Sequence, residues 1–453
     1  MKYFPSKRNL KTMLTELGVN SIESLFADIP EEVRLTEFKI PEGISEMEIE
    51  KEIKKTLSQN RESLSFLGGG VYNHYVPAAV RAILSRSEFY TSYTPYQPEV
   101  SQGLLQALFE YQSFISELTG MPVANISLYD WSSAAAEALL MACRLNRKER
   151  KVVVSSILPK NKKNVIENYL KGAEIEIHYL DYEPETGFVD LEHLEKMLSS
   201  GGIAGVYVEN PNYFGILDKN VLKIKEKIEE LWPKALLIVG VNPLTLFAVK
   251  PPSTYGADMV VGEGQVFGNK MNYGGPLLGI FATKKDRRFI IQMPGRLIGM
   301  TKDAGGRKAY TMTLQSREQH IKREKATSNI CSNQTLCALA SCVYLALMGR
   351  IGMMEIAKKN MENAAHLKKG LSEIDGFSLP FKNSPIFNEF VVKVEHLTFK
   401  ELEKKAKDKN ILPGIGLEPH FPQLKNAFLV NTTELHTKRD LDYFLNFLRT
   451  QGA

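Results

Sequence analysis

From residue 123 to residue 283, short apolar runs rich in β-branched residues alternate with amphipathic segments of helical period. No other feature limits the possible folds so sharply. Strands are expected at Ile126–Leu128, Lys151–Ser155, Ile175–Leu180, Ile203–Glu209, Leu236–Val239, Asp258–Val261 and Leu277–Ala282. Helices are expected at Ala134–Leu145, Lys160–Lys171, Asp190–Leu198 and Lys219–Trp232. This succession indicates an α/β fold, with a mostly parallel sheet covered by helices on both faces. Ligands of such sheets bind beyond the carboxyl ends of the strands. Three ends therefore matter: Glu209-Asn210-Pro211-Asn212, Gly240-Val241-Asn242-Pro243 and Gly262-Glu263-Gly264-Gln265. Turn chemistry alone also accounts for the Asn-Pro pairs. Asp130-Trp131-Ser132-Ser133 opens the Ala-rich helix, where free N–H groups and the helix dipole suit a phosphate. Ordinary N-capping by Asp130 or Ser132 explains the same residues.

The flanks read differently. Residues 1–60 form a Lys/Glu-rich helical arm, too small and too charged to own a core. A large α/β domain is expected over 61–320, and a bridging helix with a small α+β domain over 321–453. The run Phe89–Pro98 cannot be helical throughout, because Pro95 and Pro98 interrupt it. Its Tyr, Thr, Gln and Glu side chains suit a polar site or an interface, and an aromatic-packed surface loop explains them too. Residues 284–330 are basic and polar, ending in the dense run QSREQHIKREKATSNICSNQ. An exposed linking helix would account for the charges. It would not require Thr327-Ser328-Asn329 and Asn333-Gln334 to lead into the apolar helix Thr335–Met348, so the stretch is read as a bridge between domains. A second helix is expected at Met353–Ile374, before strands near Phe377–Pro380, Glu389–Val394 and Ala427–Asn431.

Composition removes several classes of function. The net charge of +5 is small for 453 residues. Lys160–Lys163 and Lys404–Lys409 read as solvated helix faces, so no nucleic acid is expected. No apolar run approaches the roughly 20 residues of a membrane span, and the opening MKYFPSKRNL lacks the apolar core of a secretion signal. A cytoplasmic protein without a membrane segment is expected. Cys143, Cys331, Cys337 and Cys342 have no metal-binding spacing and are expected as buried, reduced thiols. The eight histidines form no HxxxH or HExxH pair, so no metal is expected either.

Five stretches carry a resemblance: Tyr93–Gly103 (YTPYQPEVSQG), Ser127–Ala138 (SLYDWSSAAAEA), Val208–Asp218 (VENPNYFGILD), Ala257–Gly279 and Leu314–Gln334. With the arm they cover nearly the whole chain, and the last is long and unusual enough to be highly specific. The chain resembles the alpha subunits (subunit 1) of the two-subunit decarboxylating glycine dehydrogenases, the P-proteins of the glycine cleavage system. The resemblance implies a pyridoxal-phosphate-transferase fold of the aspartate-aminotransferase type. It also implies a partner beta subunit that bears the cofactor lysine, in an assembly of two alpha and two beta chains.

The beta pattern of a strand followed by His-Lys falls on Gln265 and Val266 here, so this chain has no Schiff-base lysine at the expected position. The acidic partner of the pyridine nitrogen falls at or near Gly240, and Asn242, a neutral amide, could not keep that nitrogen protonated. Trp131 departs from the small residue expected of the alpha pattern and weakens a phosphate seat. Lys270 is the one amine near Val266 and matches no typical lysine. No cofactor-binding residue is therefore expected in this chain.

The implied reaction, with the beta subunit, is decarboxylation of glycine, release of carbon dioxide and transfer of the aminomethyl group to the lipoyl arm of the H-protein. The cofactor would supply the electron sink, and this chain would complete the site in trans. Tyr93, Tyr96, Gln97 and Glu99 from the irregular run are the candidates, with Arg317, His320 and Arg323 from the bridge. Arg residues suit a carboxylate substrate and an acidic carrier. Two alternatives stand beside this reading: a non-catalytic scaffold or docking subunit, and a self-sufficient pyridoxal-phosphate enzyme using Lys270.

Overall fold

The computed structural model describes residues 7–35, 39–90 and 93–452; Thr91 and Ser92 of the Phe89–Pro98 run lie outside the described residues. The chain divides into two compact units, 1–62 and 63–453. The first holds helices α1 (Lys7–Glu16) and α2 (Glu46–Leu57), with short 3-10 turns at Glu23–Phe26 and Glu31–Val33. Helix α2 begins at a reciprocal cap: Ser45 Oγ accepts from the Glu48 N–H, and the Glu48 carboxylate accepts from the Ser45 N–H at 2.9 Å.

The second unit is built on a seven-stranded sheet. Its strands are β1 (Val123–Ala124), β2 (Lys151–Ser155), β3 (Glu176–Leu180), β4 (Ile203–Glu209), β5 (Leu236–Val241), β6 (Met259–Glu263) and β7 (Gly279–Thr283). They lie in the order β1-β7-β6-β5-β4-β2-β3. From β6 to β3 every pairing is parallel, whereas β7 runs antiparallel to β6 and β1 antiparallel to β7. Alternate residues of a strand enter different cores, as a two-residue period dictates. Val153, Val239 and Val260 join the cluster beneath α3 (Gln102–Thr119). Val152, Ile238 and Met259 join the one beneath α4 (Trp131–Leu145) and α5 (Lys160–Lys171). Being buried on both faces is what makes these strands read as continuous apolar runs. Helices α6 (Leu191–Ser199) and α7 (Val221–Leu231) complete the layers.

The expected strand Ile126–Leu128 is corrected. Regular pairing occurs at β1, and Leu128 makes only an isolated bridge to Gly279. Residues 284–330 do not form a bridging helix. They fold into an antiparallel hairpin, β8 (Leu297–Lys302) and β9 (Lys308–Thr313), followed by turns and the four-residue helix Gln319–Lys322. The two helices expected beyond it are both present, meeting at a break at Gly349 with φ 58° and ψ 179°, and together they are labelled α8 (Thr335–Leu371). By length and composition this helix is long and apolar enough to cross a membrane, contrary to expectation. In the fold, Leu339, Tyr344, Leu345 and Met353 of α8 instead pack into the core beside α3. A four-stranded antiparallel sheet lies near the C-terminus, with β10 (Glu389–Val394) and β11 (Ala427–Asn431) at its centre. Helices α9 (Phe399–Lys407) and α10 (Lys438–Arg449) pack on a core of its own.

Candidate functional site

The carboxyl ends of β4, β5 and β6 meet the first turn of α4, and this seat is filled by the chain's own side chains. Glu209, at the end of β4, is buried and accepts from Lys162 Nζ at 2.5 Å and from Tyr207 Oη at 2.6 Å. The same ammonium lies 3.6 Å over the Trp131 ring. Lys162 is thus a correction to the solvated face expected of its helix: it is 7% exposed, its charge neutralised by Glu209. A Cβ at Gly240 would meet Tyr207 Oη at 2.6 Å and Trp131 Nε1 at 2.8 Å, so even alanine would displace both rings.

The helix terminus is also taken. Asp130 Oδ1 accepts from the Ser133 N–H at 2.7 Å, and Glu263 Oε2 accepts from the Trp131 N–H at 3.1 Å. Glu263 accepts from Gln265 and Leu278 as well, and burial pushes its carboxyl up to about 8. Two carboxyl groups therefore stand where a phosphate would bind, which decides for N-capping. Val266 is 2% exposed and packs in the apolar core. Gln265 accepts from the Tyr72 N–H at 3.0 Å and donates to the Tyr72 carbonyl at 2.9 Å. Asn242 Oδ1 accepts from the Leu244 N–H at 3.1 Å. Lys270 is exposed, four residues beyond Val266. These residues do not fit a covalently held pyridoxal phosphate: the amine is missing, an acidic partner at Gly240 has no room, and the phosphate donors are used.

A second polar cluster lies open to the surface and joins two stretches singled out in the sequence. Tyr93 Oη donates to the Ser332 carbonyl at 3.2 Å, and the hydroxyls of Thr94 and Ser332 are hydrogen-bonded. Tyr96 Oη accepts from Arg296 Nη2 at 2.9 Å, with the guanidinium 4.9 Å from the ring centroid. Arg296 itself is 2% exposed and pairs with Glu318 at 3.0 Å while donating to Cys331 Sγ at 3.0 Å. Burial alone would lower its proton affinity; bonds to Tyr96 and Cys331 and the charge of Glu318 outweigh that and hold it above its ordinary value. His320 stands edge-on to Tyr96 at 6.3 Å between centroids, its Nδ1 3.6 Å from Glu318. Donor atoms of Glu318, His320 and Cys331 lie within 4.8 Å of one another. The Arg296 cation, bonded to two of the three, already supplies the positive charge there.

The remaining candidates are placed less centrally. Arg317 turns inward: its guanidinium donates to the carbonyls of Met293, Gly295 (3.0 Å) and Leu314 (3.2 Å), which fixes the start of the segment. Arg323 is exposed, on backbone with φ 55° and ψ −126°, a strained conformation for a side-chain-bearing residue. Gln97 is exposed and precedes the 3-10 turn Pro98–Val100, and Glu99 lines a separate cleft with Gln102, Lys302 and Arg307. Arg296 escaped the sequence reading, since one Arg between Gly and Leu has no local pattern. The thiols are also corrected. All four are free, but only Cys143 and Cys342 are buried; Cys331 and Cys337 are half-buried. For Cys331 the reason is its place beneath this open cluster.

Comparison with known proteins bears on this geometry. The family described as "Glycine cleavage system P-protein" matches residues 1–448. A probable glycine dehydrogenase (decarboxylating) subunit 1 from Thermococcus onnurineus is 47% identical over 450 residues, covering 99% of this chain and 98% of the relative. The protein of the same description from Pyrococcus furiosus is 48% identical over 451 residues, with the same coverage. Among solved structures, a glycine decarboxylase (P-protein) of the glycine cleavage system, crystallised in inhibitor-bound form, superposes with TM-score 0.88 at 37% identity. That match covers 99% of this chain and 100% of the other. A NifS-like protein from Rickettsia africae matches at TM-score 0.62 and 14% identity, over 86% of this chain and 99% of its own, and shares the fold alone.

Proposed function

The chain belongs to the glycine cleavage system P-protein family, in its subunit 1 form, and from that premise we propose that it completes the active site of a second subunit rather than forming one alone. Its role is that of the alpha subunit of decarboxylating glycine dehydrogenase. With a beta subunit that carries pyridoxal phosphate, the pair decarboxylates glycine and passes the aminomethyl group to the lipoyl arm of the H-protein, as two alpha and two beta chains. The observation that carries this reading is the closed seat at the strand ends, where Trp131, Tyr207 and Glu209 leave Gly240 no room for a Cβ.

What this chain contributes is a rigid polar edge. Arg296 and Glu318 hold Tyr96 and His320 at the surface, and Ser332 holds Tyr93 beside them. Such groups bind and orient a substrate carboxylate or a carrier arm without reacting themselves. Arg323 adds an exposed cation suited to a carboxylate, Gln97 stands exposed beside Tyr96, and Glu99 serves from the neighbouring cleft. Arg317 acts one step back, by fixing the segment that carries His320 and Arg323. Residues 61–320 and 321–453 serve as the large and small domains of this arrangement.

Borohydride reduction in the presence of pyridoxal phosphate tests the reading, with peptide masses read for this chain alone and with its beta partner. Label confined to the partner is expected. Label on Lys270 of this chain would overturn the reading and make it a cofactor enzyme in its own right.

A further inference from the structure

Residues 326–334, which carry Cys331 and Ser332 to the open cluster, have no regular secondary structure. A segment of that kind takes its shape from individual hydrogen bonds. One of them comes from inside the fold. Glu137 of α4 is 1% exposed, and its Oε1 accepts from Ser328 Oγ at 2.6 Å. The Ser328 oxygen accepts in turn from the Ile330 N–H at 3.0 Å. On either side, the Thr327 N–H donates to the Arg317 carbonyl at 3.1 Å, and Asn333 Nδ2 donates to the Cys331 carbonyl at 2.7 Å. Ser328 thus anchors the turn whose far end meets Arg296 through Cys331 and Tyr93 through Ser332.

An acid at position 137 is costly for packing alone. The other buried residues of α4 are apolar apart from Ser133. Glu137 Oε2 has no hydrogen-bond partner, and Arg144 Nη2 stays 3.8 Å away while donating to the Gln292 carbonyl at 3.1 Å. Burial raises the proton affinity of the carboxyl against the pull of Arg144 and Ser328. A half-satisfied buried acid of this kind serves a core less well than an apolar side chain of the same size. What an apolar side chain could not do is accept from Ser328.

We infer that Glu137 is a positioning residue for the reaction, fixing Ser328 and through it the turn that sets Cys331 beside Arg296 and Ser332 against Tyr93. This rests on the proposed reading, in which that cluster completes the partner's site. It goes further in assigning the support to a side chain inside α4 that touches neither substrate nor cofactor.

Turnover of the complex with the beta subunit, given glycine and lipoylated H-protein, tests this beside urea unfolding of the free chain. Glu137→Met removes the acceptor and keeps the length of the side chain. Turnover should fall at least about tenfold, while the unfolding midpoint should hold or rise, because an unmatched buried oxygen leaves with the acceptor. Glu137→Gln keeps a carbonyl oxygen for Ser328 and should recover most of the turnover. Ser328→Ala, at a half-buried position, should repeat the loss. Glu137→Met combined with Ser328→Ala should lose no more than either alone. Wild-type turnover in Glu137→Met, losses that multiply in the double variant, or a loss that follows a fall in the unfolding midpoint would each overturn the inference. In those cases turnover by the wild-type pair leaves the two-subunit reading standing. A beta subunit that turns over as fast alone as in the complex would sink that reading and this inference with it.

Discussion

Two buried ion pairs of this molecule look alike on paper and differ in setting. Lys162–Glu209 is sealed under the Trp131 ring at the strand ends, with Tyr207 supplying a further hydrogen bond. Arg296–Glu318 is equally buried, yet its outer contacts are Tyr96 and His320, 52% exposed as a residue and 43% exposed in its side chain respectively. The first pair fills the strand-end seat with the chain's own side chains. The second holds surface groups still. Burial of charge therefore does not by itself mark a functional site; what the pair holds in place decides.

Removing one partner should separate the two. Glu209→Ala strands the Lys162 ammonium, and a loss of about 3–5 kcal/mol in urea unfolding of the free chain is expected. If stability hardly changes, the seat is not sealed as described. Arg296→Met should act chiefly on catalysis by the reconstituted pair. Loosening Tyr96 and the 318–332 segment should cost on the order of 100-fold in turnover, with Arg296→Lys recovering part of it. Equal turnover in wild type and Arg296→Met, with assembly intact, would erase the contrast between the pairs.

A graded effect comes from pH. Glu263, at the sealed seat, is raised to about 8 from an ordinary 4.5, so the native state keeps a proton that the unfolded chain gives up. Its contribution is complete below about pH 4.5 and falls as pH rises towards 8, by up to about 1.4 kcal/mol per pH unit. Glu263→Gln should flatten a stability–pH curve over that interval by one proton's share; an unchanged slope would mean that the carboxyl is ionised throughout. Smallest of all, Tyr96→Phe removes one hydrogen bond and keeps the ring. About 1 kcal/mol, roughly fivefold in turnover, is expected.

The sequence was most legible where the chemistry is local. Lys151–Ser155, Ile203–Glu209, Glu389–Val394 and Ala427–Asn431 are strands with the expected bounds, because their residues alternate between two cores or two faces. The hairpin β8–β9 was hidden by its charged turn, where Lys302, Asp303, Arg307 and Lys308 mask the apolar residues at either end. The open cluster was hidden by distance: Tyr96 lies 200 positions before Arg296, and Cys331 lies 35 after it. Arg317 misled because a dense charged run reads as solvated, while three carbonyls waiting in the 293–314 segment make its burial favourable.

The bonds of Gln265 to both backbone groups of Tyr72 carry one more consequence. A lysine placed at 266 alone would intrude on the core, a histidine at 265 alone would release Tyr72, and a smaller residue at 131 alone would uncover Lys162. Each of these changes harms the chain before a second can compensate it. Positions 131, 265 and 266 are in that sense locked to one another by packing.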